Sequence, residues 1–450
     1  MPASGPNWRF SGFPDGTRFA EVSRGDARLR SWLVTSPGSL QRRLGVADAV
    51  VIGAGSMIGA GVYVAWAPAA RAAGDWLLFG LAIAGIVAFC NATSSAQLAA
   101  IYPESGGTYV YGRRQLSPFW GHVAGWGFVV GKTASCSAMA LTLGTYLWPE
   151  QQRLAAALAV MAITAVNIGG LQRTVAVTKV LLVFSLVAVG CVVWVGITGP
   201  PPAGVVTHSG PDESVLGAVK AAGFLFFAFA GYARIATLGE EVRDPERTIP
   251  RAIPLALFGV LTLYAVVAAV AIDFGGVDRL GASDSPLRDL VGSVDSPLEP
   301  IVQFGAAIAS LGVLLNLIPG VSRTTLAMAR NRELPGWFDH IDGKRSLPMR
   351  AELTVATVVI ALVLTIDITS SIAVSGAAVL TYYAVTNAAA LALRPDQRRW
   401  PRALAVIGLL GCVLLVAALP RSALLGGGLV LVTGVAARQV ALRRSGNEHT

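Results

Sequence analysis

The chain has 450 residues, 54% of them hydrophobic and 14% charged, with a formal net charge of +9 and a mean hydropathy of +0.61. Soluble domains carry about 25% charged residues, so the composition excludes a water-soluble globule. It also removes the nucleic-acid reading that a surplus of basic residues would otherwise invite. The apolar residues gather in runs of about 20, the length at which a helix crosses a bilayer. They do not alternate as barrel strands would: residues 180–195 read VLLVFSLVAVGCVVWV, and backbone groups in hydrocarbon must then pair within helices.

Residues 1–43 are rich in Gly, Pro and Ser, carry seven arginines and contain no apolar core run. That composition predicts a flexible basic tail and no secretory signal. Residues 44–441 form the transmembrane part, and residues 442–450 a short C-terminal tail. Twelve candidate spans lie near 46–70, 75–98, 118–147, 153–170, 176–198, 215–238, 250–272, 299–328, 352–367, 370–392, 402–419 and 424–441. The ninth is short and close to the tenth. With the N-terminus inside, the tails and inner loops hold 26 of the 35 basic residues and the outer segments five. This bias orients both termini to the cytoplasm. Glu104 and Arg173 then fall in or beside inner loops, as do Lys344 and Arg345.

The first span contains GAGSMIGAGVY at 53–63. A dinucleotide loop needs a surrounding βαβ unit, and none is present. Two readings of the glycines remain. Gly55-x-x-x-Gly59 is a small-residue motif for close helix packing; it is equally suited to an unwound mid-membrane segment, where the free amides of a half-helix meet an anionic group. In the second reading the amides of Gly59–Gly61 face a carboxylate. The sixth span reads GFLFFAFAGYARIAT at 223–237. A break near Ala228–Gly231 would expose carbonyls to an ammonium, and two interrupted spans set five apart suit an inverted repeat.

Four basic residues lie in or near spans. Lys132, in VVGKTASCSAMA, would cost about 2.5–3.5 kcal/mol at the bilayer centre. Such a residue faces a cavity, pairs with helix carbonyls or snorkels. A desolvated lysine can also exchange a proton, which makes Lys132 the coupling candidate. Arg234 snorkels, Arg323 takes a packing role, and Lys220 sits near the outer end of its span. Acidic residues keep to span ends and loops, as Asp48 and Glu104 do. Cys90, Cys136, Cys191 and Cys412 sit in apolar runs, and His122, His208, His340 and His449 are scattered. No metal site, disulfide framework or catalytic cluster is therefore expected, and the absence of GxxxxGK[ST] leaves ATP-driven pumping unsupported.

Four segments recur in family order: GAGSMIGAGVY at 53–63, YPESGGTYVYGRR at 102–114, GFLFFAFAGYARIATLGEEVRDPERTIPRAI at 223–253 and SRTTLAMARNRELP at 322–335. By these the chain resembles the amino acid–polyamine–organocation superfamily of permeases, in particular its cationic amino acid transporter branch, over about residues 42–440. The resemblance implies an all-α polytopic membrane protein of about twelve transmembrane helices. Two inverted five-helix repeats have broken helices 1 and 6, and two helices follow at the C-terminus. It implies a substrate site built from Ser56, Met57, Ile58, Gly59, Ala60 and Gly61 with Phe227, Ala228, Ala230 and Gly231. Backbone at 57–61 would meet the substrate's carboxylate and amine. Phe227 and Ala230 would offer carbonyls to the amine, with Phe227 also in a gating position.

Departures from the family pattern bear on the substrate. Many relatives place an acid in span six where this chain has Ala233. The cationic branch places a glutamate in span three where Gly131 stands, beside Lys132. A proton-linked relative carries a lysine in span five at Ser185, whereas Lys179 lies nearer that span's start. These features favour a neutral over a cationic amino acid. The expectation is a secondary active permease of a bacterial cytoplasmic membrane, coupled to protons rather than sodium and needing no cofactor. A cationic amino acid or polyamine exchanger and a non-transporting sensor are the alternatives. The oligomeric state is open.

Overall fold

In a computed structural model, residues 44–103, 106–169, 175–200, 214–236, 241–342 and 347–447 are described, with side chains at 175–178 and 440–447 excepted. The basic tail at 1–43, Glu104, Arg173, Lys344, Arg345 and residues 448–450 lie outside them. Helices dominate. In chain order they are α1 Val46–Met57, α2 Gly61–Val64, α3 Trp66–Ala73, α4 Leu77–Ile101, α5 Thr108–Gln115, α6 Pro118–Leu147, α7 Gln152–Ile168, α8 Val175–Thr198 and α9 Val215–Phe229. There follow α10 Ala233–Ala236, α11 Pro245–Gly275, α12 Val277–Ala282, α13 Pro286–Gly292, α14 Glu299–Arg330, α15 Met349–Thr365, α16 Ile368–Leu391, α17 Arg402–Ala418 and α18 Arg421–Asn447.

Each of the twelve candidate spans falls on helix, and nine helices among the described residues are long and apolar enough to cross a membrane. The protein is an all-α, multi-pass membrane protein. Three spans fall below that criterion for visible reasons. α15 and α17 are 17 residues each, and α6 carries Lys132 with Thr133, Ser135, Ser137, Thr142 and Thr145, all buried. Those polar groups are tolerated because α6 is enclosed by α14 and α16. The last helix continues through Asn447, so residues 442–447 of the expected C-terminal tail are helical.

Helix starts follow local chemistry. Ser117 precedes Pro118 and accepts the Trp120 amide at 3.5 Å, and Asp367 accepts the Ser370 amide at 2.6 Å. Both side chains satisfy donors that a helix N-terminus leaves open. The usual distribution of polarity is inverted. Phe79, Trp194, Phe258 and Leu425 lie 61–75% exposed on the outer faces of α4, α8, α11 and α18, where lipid replaces water. Asn91, Asn387, Ser371 and Ser375 are buried inside. The interior also holds fully buried tyrosines, among them Tyr63, Tyr264 and Tyr383. A buried phenol hydroxyl needs a partner, and their partners define the centre of the molecule.

Candidate functional site

Span one is broken in its middle. α1 ends at Met57, and Ile58 leaves helical geometry with φ −78° and ψ 63°. The helix resumes at Gly61 and continues to Ala73 through Ala65, whose dihedrals stay helical at φ −68° and ψ −21°. Within the break the Gly59 amide turns onto the Met57 carbonyl at 2.8 Å. The amides of Ala60 and Gly61 have no backbone acceptor among the described residues, and they head the second half-helix. That end carries the positive pole of the helix dipole.

Span six breaks differently. α9 runs through Phe229, a tight three-residue turn covers Ala230–Tyr232, and α10 takes over at Ala233. Ala228 thus stays helical, and the irregular segment starts two residues later than the expected Ala228–Gly231, overlapping it at Ala230 and Gly231. The turn is tightened rather than unwound, with the Ala230 amide bonded to the Phe227 carbonyl. The two breaks touch. A Cβ on Gly231 would lie 2.6 Å from the Met57 nitrogen, and one on Gly61 would lie 2.8 Å from the Ala228 Cα. Only glycine permits these approaches, so the glycines at 61 and 231 set the crossing point.

The carbonyls freed by the breaks are taken by neighbouring helices. The Tyr264 hydroxyl on α11 donates to the Met57 carbonyl at 2.8 Å and lies 3.3 Å from the Ala228 carbonyl. Ser185 on α8 donates to the Ile58 carbonyl at 3.4 Å, and its own carbonyl accepts the Tyr63 hydroxyl at 3.1 Å. On the other side, Lys132 of α6 donates its Nζ to the Ala230 carbonyl at 3.1 Å, and Tyr383 of α16 donates to the same oxygen at 3.4 Å. Lys132 is 6% exposed and has no carboxylate partner among the described residues. Next to it, hydroxyl pairs Ser135–Ser375 at 2.6 Å and Ser137–Ser371 at 2.8 Å join α6 to α16.

The residues expected at the site therefore divide. Met57–Gly61 and Ala228–Gly231 meet at one crossing, and the amides of Ala60 and Gly61 are open. The carbonyls of Phe227 and Ala230 are both engaged, the first by the turn and the second by Lys132 and Tyr383. The Ser56 hydroxyl bonds back to the Ile52 carbonyl at 2.8 Å, and Phe227 is buried in α9. Of the other basic residues, Arg234 and Lys220 are half-buried. Arg323 is exposed on α14 rather than packed. Sequence reasoning missed Tyr264 and Tyr383, whose one signal is a polar tip inside an apolar run. Further along span one, Asp48 pairs with Lys179 at 3.1 Å, and Leu44 exchanges backbone bonds with Glu241 and Arg243. These contacts hold the start of span one against the starts of spans five and seven.

Two broken helices crossing inside a helical bundle are a construction found in membrane transporters. The sequence profile of the amino acid permease family matches residues 44–433, and the chain belongs to that family. It is similar to an uncharacterized transporter of Mycobacterium tuberculosis, 54% identical over 414 residues, 91% of this chain and 94% of the relative. It is also similar to the branched-chain amino acid permease BcaP of Bacillus subtilis, 23% identical over 81% of this chain and 83% of that one. A vacuolar cationic amino acid transporter of Arabidopsis thaliana is 26% identical over 74% of this chain and 60% of its own length.

Proposed function

We propose that the protein is a secondary active amino acid transporter of a bacterial cytoplasmic membrane, with both termini inside, working by alternating access and preferring neutral to cationic substrates. The observation that carries this reading is the crossing of the two breaks. The open amides of Ala60 and Gly61 suit a carboxylate, and the carbonyl of Ala230 suits an ammonium, so together they fit a zwitterion. The preference for a neutral side chain rests on charge. Lys132 is buried beside the crossing without a carboxylate partner among the described residues, and a cationic side chain would meet repulsion there that no described acid is seen to offset. The Bacillus relative, named a branched-chain amino acid permease, agrees with a neutral substrate, and the Arabidopsis relative, named a cationic amino acid transporter, favours the cationic alternative.

A proton on Lys132 is the proposed coupling ion, with sodium the less favoured. Arginine keeps its charge where lysine can lose it, so both Lys132→Ala and Lys132→Arg lose accumulation driven by a pH gradient while exchange persists. Uptake into proteoliposomes with competition by the twenty amino acids tests the substrate. Inhibition by neutral amino acids is expected. Strong inhibition by arginine with none by neutral amino acids contradicts the preference, and binding without flux contradicts transport.

A further inference from the structure

Lys132 holds the acceptor that an amino acid's ammonium would seek. Its Nζ donates to the Ala230 carbonyl at 3.1 Å, the one acceptor it has among the described residues, although an ammonium carries three donors. Ala230 opens the turn of span six, one residue before the glycine that abuts Met57. The open amides of Ala60 and Gly61 lie at the same crossing, since Gly61 abuts Ala228. In any α-amino acid the carboxylate and the ammonium are joined through one carbon. A carboxylate seated on the amides therefore brings its ammonium to the carbonyls of span six. Ala228 is bonded by a neutral tyrosine and Phe227 by the backbone, whereas Ala230 is bonded by a cation at 3.1 Å, with the Tyr383 hydroxyl more distant at 3.4 Å. Two ammonium groups cannot share one carbonyl oxygen at bonding distance without strong repulsion in so dry an interior.

We propose that Lys132 is a tethered stand-in for the substrate's α-ammonium: it occupies the Ala230 carbonyl in the empty carrier and is displaced from it when an amino acid binds. This rests on the zwitterion site proposed above and names the contact for which substrate and protein compete. Lys132 acts here as a positioning residue. Together with Tyr383 it keeps the buried carbonyl satisfied before substrate binds, and its flexible four-carbon stem lets it withdraw. The consequence is specific. An amino acid gains the Ala230 bond only by breaking the lysine's, so the wild-type protein draws little affinity from the substrate's amino group. Without the lysine ammonium, the amino group contributes its full bond.

The test compares dissociation constants of an amino acid and its deaminated analogue on purified full-length protein. L-Leucine is paired with 4-methylpentanoate, and L-arginine with 5-guanidinopentanoate, in wild type and in Lys132→Met. The ratio of analogue to amino acid should rise about tenfold or more in Lys132→Met, the size of one hydrogen bond to a charged group. Leucine itself should bind more tightly to the variant. Loss of packing alone would weaken both ligands together and leave the ratio unmoved. Lys132→Gln, which keeps a neutral donor, should give an intermediate ratio and serves in its place if the methionine variant does not fold. An unchanged ratio in the variant overturns the competition while leaving the zwitterion site standing. Failure of the wild type to bind either amino acid overturns the site reading and this proposal together.

Discussion

The two helix breaks solve the same problem in opposite ways. In span one the helix is interrupted between Met57 and Gly61, with Ile58 out of helical geometry, and what remains open is a pair of donors, the amides of Ala60 and Gly61. In span six the chain tightens over Ala230–Tyr232, and the carbonyl of Ala230 that emerges is already bonded to Lys132 and Tyr383. A break costs backbone hydrogen bonds that a membrane interior cannot replace with water. Here the acceptors are satisfied internally while two donors are left without backbone acceptors among the described residues, an arrangement that suits the carboxylate of the proposed substrate. The asymmetry is local, because both breaks share one strut: Tyr264 reaches the Met57 carbonyl of the first and the Ala228 carbonyl of the second.

The largest effect should come from forcing the breaks apart. Gly231→Leu places a side chain where a Cβ alone would already lie 2.6 Å from the Met57 nitrogen, and uptake should be abolished in protein that still reaches the membrane. Gly428→Leu, where a Cβ would meet nothing within 4 Å, should keep wild-type uptake. Normal transport by Gly231→Leu would break the crossing as the site.

Removing the shared strut should cost less. Tyr264→Phe keeps the ring and its packing on Trp66 and Phe229 but leaves two buried carbonyls without their donor. A buried acceptor without its donor costs about 1–3 kcal/mol. The transport rate should fall about tenfold, the equivalent of about 1.4 kcal/mol in a barrier, with a lower denaturation midpoint in detergent. An unaltered rate would mean that the two breaks are not coupled through Tyr264.

The smallest effect belongs to Ser185→Ala. Its bond to Ile58 is long, at 3.4 Å, and one neutral hydrogen bond contributes about 1 kcal/mol. Uptake should drop by less than about fivefold, consistent with that energy. A loss as complete as that of Gly231→Leu would move the functional weight from the crossing to α8.

Much of this was legible before any coordinates. The glycines of GAGSMIGAGVY announced the first break because few other reasons place so many weak helix formers in one span. Lys132 announced itself as an ion in an apolar run. What the sequence could not reveal is where each group finds its partner. The turn in span six lies at Ala230–Tyr232, where Gly231 fits against the Ser56–Met57 peptide, a contact with backbone far away in the chain. Tyr264 and Tyr383 sit in runs such as LTLYAVV and LTYYAVT, where a tyrosine reads as core. Their hydroxyls acquire meaning only once freed carbonyls lie within reach. The middle of α6, where Lys132 stands, is likewise readable as buried, but not as aimed at Ala230.

The central claim is that the open amides of Ala60 and Gly61 take the substrate's carboxylate. Binding of the preferred amino acid and of its methyl ester to the purified protein tests it most directly, because esterification removes the negative charge and leaves the amine and side chain in place. The ester should bind at least about a hundredfold more weakly, as expected when charge-assisted bonds to two amides are lost. An ester that binds as tightly as the free amino acid would contradict the account.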